Sequence, residues 1–152
     1  MFRGVSAISL DEKGRMAMPV RHRDALVQHC QGRLVVTIDM DERCLLLYPL
    51  PEWEVIQSRL ERLPNVDPTA RRVQRLLIGH ATDVELDGSG RLLLPNMLRE
   101  FAQLEKKLVL LGQGNKIEIW GEELWFQRRD QWLEEGGRAA LESSEALRSI
   151  AL

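Results

Sequence analysis

An α+β fold made by tandem duplication follows from three features of this sequence. Residues 10–23, LDEKGRMAMPVRHR, and residues 86–99, LDGSGRLLLPNMLR, are one motif written twice. At a constant offset of 76, Leu10 meets Leu86, Asp11 meets Asp87, Gly14 meets Gly90, Arg15 meets Arg91, Pro19 meets Pro95 and Arg23 meets Arg99, six identities in fourteen positions. Strand-like segments flank each copy, and segments of helical period follow each one. A repeat of this kind has to be found first, because missing it miscalls the whole fold.

In the first copy, FRGVSAISL alternates apolar and small polar residues and predicts a strand. Asp11-Glu12-Lys13-Gly14-Arg15 supplies a turn, with an acceptor side chain at its start and a glycine that takes positive φ without Cβ strain. RMAMP is a second short strand stopped by Pro19, so a hairpin is expected with Lys13 and Arg15 at its tip. Leu26, Val27 and Cys30 fall at helical spacing within residues 20–30, and Gly32 marks that helix's end. RLVVTI and RCLLLY, separated by the polar turn from Asp39 to Glu42, predict a further hairpin of buried strands. These elements make a first repeat unit over residues 1–48.

Residues 49–77 predict a helical connector. Pro51 suits a first helical turn, Trp53, Ile56, Leu60 and Leu63 share a face, and Pro64 ends the segment. Asp67 before Pro68 caps a second helix, with Ala70, Val73 and Leu77 on one face and Arg71, Arg72 and Arg75 on the other. The second repeat unit, residues 78–120, has the same order: a strand through residues 78–86, the turn Asp87-Gly88-Ser89-Gly90-Arg91, the strand LLLP, a short helix capped by Asn96, and KLVLL and KIEIW joined by GQGN. Residues 121–152 predict a helix from Gly121 to Glu135, ended by Gly136-Gly137, and an acidic tail. Leu141, Leu147, Ile150 and Leu152 suit one more small amphipathic helix there. Trp53 and Trp125 take equivalent places after the two units, and the whole is expected to form one compact domain.

Composition narrows the function. With 21 Lys and Arg against 23 Asp and Glu, the formal charge is -2, so an anionic partner must meet a local basic patch. Cys30 and Cys44 belong to no CxxC pair, which argues against a disulfide framework or zinc site and fits a reduced cytoplasmic setting. Eighteen apolar residues never follow one another, so no membrane span is expected. His22, His29 and His80 are scattered without an HExxH, and Gly88-Ser89-Gly90 meets neither GxSxG nor a phosphate loop. The expectation is no enzyme, no catalytic residue, no metal and no cofactor.

Two roles are open to the Asp-x-x-x-Arg motif. One is structural: the aspartate accepts turn N–H groups or the arginine's donors, and spacing alone favours it. The other is anion recognition, because a β element entering the major groove presents arginine to guanine O6 and N7. Up to residue 33, Arg3, Lys13, Arg15, Arg21, Arg23 and Arg33 outnumber Asp11, Glu12 and Asp24. The candidate DNA contacts are Arg3, Lys13, Gly14 and Arg15 in the first copy and Ser89, Gly90 and Arg91 in the second, with Asp11 and Asp87 orienting the turns. Lys13 has only Ser89 as its counterpart, so Arg15 is expected to read bases and Arg91 to support it.

Residue for residue, the chain resembles the MraZ family of bacterial transcriptional regulators. The resemblance rests on Met1-Phe2-Arg3-Gly4, Asp11-x-Lys13-Gly14-Arg15, LYPLPEWE at 47–54, RRVQRLL at 71–77, the second Asp87-x-x-x-Arg91 and KIEIW at 116–120. It implies two AbrB-like swapped-hairpin β units with short flanking helices, assembled into a homo-oligomeric ring. It further implies binding to short direct repeats in double-stranded promoter DNA, repression of the division and cell-wall gene cluster including the regulator's own gene, and a nucleoid-associated place in the cytoplasm. The alternative is an oligomeric protein-interaction scaffold without base readout, its arginines paired across interfaces.

Overall fold

A computed structural model describes residues 1–150; Leu152, assigned above to a tail helix, lies outside the described residues. The chain forms two compact units, Met1–Gly121 and the segment from Glu122 onward, where one domain was expected. The last strand ends at Gly121, and every described element after it is helical, so the second unit is built from helix contacts alone.

The first unit contains β1 (Phe2–Ser9), β2 (Arg15–Ala17), α1 (Val20–Cys30), β3 (Arg33–Ile38), β4 (Leu45–Pro49), α2 (Leu50–Glu61), α3 (Pro68–His80), β5 (Thr82–Glu85), β6 (Arg91–Leu93), α4 (Asn96–Phe101), β7 (Lys107–Gly114) and β8 (Ile117–Gly121). Six strands make one antiparallel sheet in the order β1-β7-β8-β4-β3-β5, and β2 pairs with β6 in a separate ribbon. Exchanging the repeats, β1 for β5, β7 for β3 and β8 for β4, turns this order into its own reverse. The duplication is therefore a pseudo-two-fold axis running between β4 and β8 and through the β2–β6 ribbon.

The hairpin expected of RLVVTI and RCLLLY forms as β3 and β4, but those expected of each repeat's first two strands do not. β1 and β2 meet only at the bridge between Leu10 and Met16, and then part. β1 runs along β7 from Phe2↔Gly114 to Ser9↔Lys107, while β5 runs along β3 from Arg33↔Glu85 to Val36↔Thr82. Each repeat lends its first strand to the other. The reason is length: β2 has three residues before Pro19 and cannot match the backbone groups of an eight-residue strand, whereas β7 can.

Period-2 alternation sorts the sheet residues between two cores. Leu34, Val36, Ile38, Leu45, Leu47, Leu108, Leu110, Ile117 and Ile119 face one side, where Met16, Met18, Leu92 and Leu94 of the ribbon segments and Leu26 and Leu98 of α1 and α4 close over them. On the other side Val35, Leu46 and Tyr48 pack with Trp53 and with Ile56, Leu60 and Leu77 of α2 and α3. Thr37, fully buried, donates its hydroxyl to the Leu77 carbonyl at 2.7 Å and so ties α3 to β3.

Three local expectations are corrected. The strand through residues 78–86 is reduced to β5, because the helical period of Leu76, Leu77 and His80 carries α3 to His80, whose Nδ1 lies 2.7 Å from the Leu76 carbonyl oxygen. Asn96 is the first residue inside α4, after Pro95, and its amide donates to Glu100 instead of capping. In the second unit, α5 (Glu122–Glu134) is followed by a short α6 (Gly137–Ser143) and a 3₁₀ turn (Glu145–Leu147), because Gly136 at φ +82° breaks the chain direction and Ser144 is extended. Within that unit Trp125 and Trp132 meet edge-on at 6.0 Å, and Arg129 lies 4.9 Å over Phe126. Among the described residues no helix is long and apolar enough to cross a membrane.

Asp67 caps α3 as its sequence suggests, its Oδ1 accepting the Thr69 N–H at 2.9 Å. Asp67→Ala should lower stability by about 1 kcal/mol, read as a fall in the urea midpoint at unchanged slope; an unchanged midpoint would show that α3 needs no cap.

Candidate nucleic-acid interface

Both Asp-x-x-x-Arg segments fold as the same turn. Asp11 Oδ1 accepts the main-chain N–H of Lys13 at 2.9 Å and of Arg15 at 2.8 Å, while its Oδ2 accepts Arg15 Nε–H at 2.9 Å. Asp87 repeats this with the N–H of Ser89 at 2.8 Å and of Arg91 at 2.9 Å, and with Arg91 Nε–H at 3.1 Å. Main-chain bonds from Asp11 N–H to the Arg15 carbonyl and from Gly14 N–H to the Asp11 carbonyl close the first turn, and Asp87, Arg91 and Gly90 do the same in the second. One carboxylate thus fixes both the turn and the direction of the guanidinium. Arg15 and Asp11 are 29% and 38% exposed, and Arg91 and Asp87 37% and 40%, so these pairs contribute orientation more than stability.

The main-chain bond from Arg15 is the largest influence holding the Asp11 carboxyl below its usual pKa, with the Arg15 side chain and the Lys13 N–H adding to it. For Asp87 the main-chain bond from Arg91 leads, followed by that of Ser89 and the Arg91 charge. In each case loss of hydration acts the other way, second in weight to that main-chain bond.

The ribbon brings the two turns together. Its register pairs Arg15 with Leu93, Met16 with Leu92 and Ala17 with Arg91, so Met16 and Leu92 oppose each other at the pseudo-two-fold axis. Both are fully buried. Directly opposed residues share a face, so Arg15, Ala17, Arg91 and Leu93 all lie on the outer one, with Arg15 and Arg91 diagonal neighbours roughly 7–8 Å apart at Cα. Two arginines that sequence reasoning put on separate hairpin tips stand side by side on one solvent-facing surface. Lys13 and Ser89 are exposed on the turns at either end.

Gly14 and Gly90 hold the two turns against the opposite repeats. Both are buried at positive φ, +84° and +73°. A Cβ on Gly14 would come within 2.6 Å of the Arg99 guanidinium carbon, and a Cβ on Gly90 within 2.1 Å of Arg23 Nε. The close approach that glycine permits is made by an arginine of the opposite repeat, so both glycines serve packing between the repeats. Arg23 also donates from Nη2 to the Met18 carbonyl at 3.0 Å, and Arg99 from Nε to the Leu94 carbonyl at 3.0 Å. Main-chain bonds from Met18 N–H to the Gly90 carbonyl and from Leu94 N–H to the Gly14 carbonyl complete the reciprocal lock. Arg23 and Arg99 were visible as the last identity of the repeated motif, but spacing alone gave them no task.

Arg3 stands apart from this cluster. It lies near the start of β1 opposite Gln113, and the strand from Arg3 to Ser9 spans on the order of 20 Å.

The duplication also appears in comparison with known proteins. The family described as "MraZ protein, putative antitoxin-like" matches twice, over residues 1–76 and 77–146, one match per repeat. The Transcriptional regulator MraZ of Halorhodospira halophila (strain DSM 244 / SL1) is 56% identical over 152 residues, 100% of both chains. That of Thioalkalivibrio sulfidiphilus (strain HL-EbGR7) is 57% identical over 152 residues, again 100% of both. That of Legionella pneumophila (strain Corby) is 56% identical over 135 residues, 89% of each chain.

Two outcomes follow from the turns. Gly90→Ala places a side chain at positive φ against Arg23, and should cost about 2–5 kcal/mol from the sum of backbone strain and overpacking; a chemical denaturation curve equal to that of the unsubstituted chain would dissolve the lock. The depressed carboxyl pKa values make the turn contribution complete above the unfolded aspartate value of about 3.9 and lost as pH falls through the lower folded values. Carboxyl-resolved NMR titration should therefore show Asp11 and Asp87 as the late-protonating aspartates, with the Lys13 and Ser89 amide shifts moving in step.

Proposed function

The chain belongs to the MraZ family, and we propose that it is a transcriptional regulator that binds double-stranded promoter DNA through the β2–β6 ribbon. The observation that carries this reading is the convergence of Arg15 and Arg91, each aimed by an aspartate, on one exposed face of a ribbon of the kind that fits the major groove. Arg15 reads guanine edges, with Lys13 beside it against phosphate; Arg91, flanked by Ser89, gives the weaker contact. Arg3 is too remote to share that contact and serves, if DNA reaches it, a separate phosphate.

The regulator acts as a repressor on short direct repeats ahead of its own gene and the division and cell-wall cluster, in the nucleoid-associated cytoplasm. A single ribbon offers few contacts, so affinity depends on several subunits of a homo-oligomeric ring engaging repeats together, at a spacing of about 10–10.5 base pairs. Assembly is supported by two complementary surfaces. Arg71, Arg72 and Arg75 are exposed along α3, and a groove between α2 and β5 carries Glu54, Glu61, Asp83 and Glu85. The same surfaces favour the second reading, a scaffold whose arginines serve only subunit contacts.

Gel-shift titration on repeat DNA separates the two. Arg15→Ala should lose roughly 1–3 kcal/mol of base discrimination at unchanged oligomer mass, with a smaller loss for Arg91→Ala, and binding should weaken steeply with salt. Unchanged specific binding with a fallen oligomer mass would favour the scaffold instead.

A further inference from the structure

We propose that Asp39, Cys44 and Glu118 form a site for one zinc ion per chain, joining the two repeats on the sheet face opposite the ribbon. Asp39 follows β3 and Cys44 precedes β4 in the first repeat, while Glu118 lies in β8 of the second. The pairing Leu46↔Glu118 sets β8 beside β4, and the Asp39 N–H bonded to the Cys44 carbonyl at 3.0 Å sets the end of β3 on its other side. One potential ligand atom from each residue then lies within 4.8 Å of the other two. Sequence spacing gave no hint of this, since Glu118 stands in the other repeat, far along the chain from Asp39 and Cys44.

The thiol is the independent observation. Cys44 is free and wholly buried, and among the described residues its sulfur takes part in no hydrogen bond; only burial and the charges of Glu118, Asp39 and Glu42 act on it. Cys30, the other buried cysteine, donates its S–H to the Leu26 carbonyl at 3.1 Å and is thereby accounted for. Cys44 instead points at two carboxylates already held in place. Asp39 Oδ2 accepts the N–H groups of Asp41 at 3.0 Å and Glu42 at 2.8 Å, and Glu118 Oε1 accepts the Trp120 indole N–H at 2.9 Å. Hydrogen bonds of this kind orient metal ligands. Neither carboxylate closes an ion pair among the described residues, and Lys116 acts on Glu118 only from beyond ion-pair distance.

A thiolate and two carboxylates, with water completing a tetrahedron, match zinc, whose bonds are about 2.3 Å to sulfur and 2.0–2.2 Å to oxygen. In a tetrahedron, ligand atoms at those distances from one ion stand about 3.6 Å apart, so the group closes by side-chain rotations that move its atoms by up to roughly 1 Å. Binding forms a Zn–S bond and releases the Cys44 thiol proton to solvent. The site occurs once, because the place of Cys44 in the second repeat is taken by Lys116, just before β8.

The test uses the full chain, reduced and stripped with chelator, titrated with cadmium as a zinc surrogate and then with zinc in competition. A thiolate-to-cadmium ultraviolet band should saturate at one equivalent, zinc should displace it, and the unfolding temperature should rise with added zinc. Cys44→Ser should abolish the band and Cys30→Ser should leave it, with near-ultraviolet circular dichroism checking the fold. If Cys44→Ser fails to fold, Asp39→Asn and Glu118→Gln carry the test, each weakening binding by at least about tenfold. Absence of the band in the unsubstituted chain, its survival in Cys44→Ser, or unaltered affinity in both carboxylate variants would overturn the site.

Discussion

The pairing of each repeat's first strand with a strand of the other repeat is the contact on which the rest of the architecture depends. Main-chain N–H and C=O groups need partners, and the three-residue β2 and β6 offer few of them to β1 and β5. The first strands therefore cross to β7 and β3 of the other repeat. Once they cross, β4 and β8 meet in the middle of the sheet, and β2 and β6 are left facing each other below it. The ribbon is a consequence of the exchange, not an independent hairpin.

Closure of the ribbon then rests on two kinds of contact. Met16, Met18, Leu92 and Leu94 anchor its inner side in the main core, where burial of each side chain is worth about 1.5–3 kcal/mol. At its ends the pairs Arg23 with Gly90 and Arg99 with Gly14 lock each turn to the opposite repeat. With the inner side committed to packing, the outer side is left to Arg15, Arg91, Ala17 and Leu93. A chain with a net charge of only -2 thus presents two cations on one small surface, each directed by its own aspartate. The same arrangement explains why the glycines of the motif are buried: they serve the lock, and the arginines beside them face outward.

Much of this was legible in the sequence. The repeat, the α+β class, the extent of α1, the Asp67 cap and the turn-forming aspartates rest on contacts between residues a few positions apart, which spacing and side-chain chemistry report directly. Spacing also found Arg23 and Arg99 as repeated residues, although it gave no reason for them. The boundary of α3 was misplaced because an apolar run before β5 suits helix and strand equally well, and only its packing against both cores separates them.

What the sequence determined by itself, then, was the local content: which segments are strands or helices, where the chain turns, and that one unit is used twice. Only the tertiary structure decided that the two arginine turns share one ribbon, that the motif glycines lie under the opposite repeat's arginines, and that Asp39, Cys44 and Glu118 are neighbours. The physical reason is that strand pairing is set by backbone hydrogen bonds available across the whole chain. Alternation says which face a side chain takes, but the choice of partner strand depends on lengths and registers more than a hundred residues apart, as between Phe2 and Gly114.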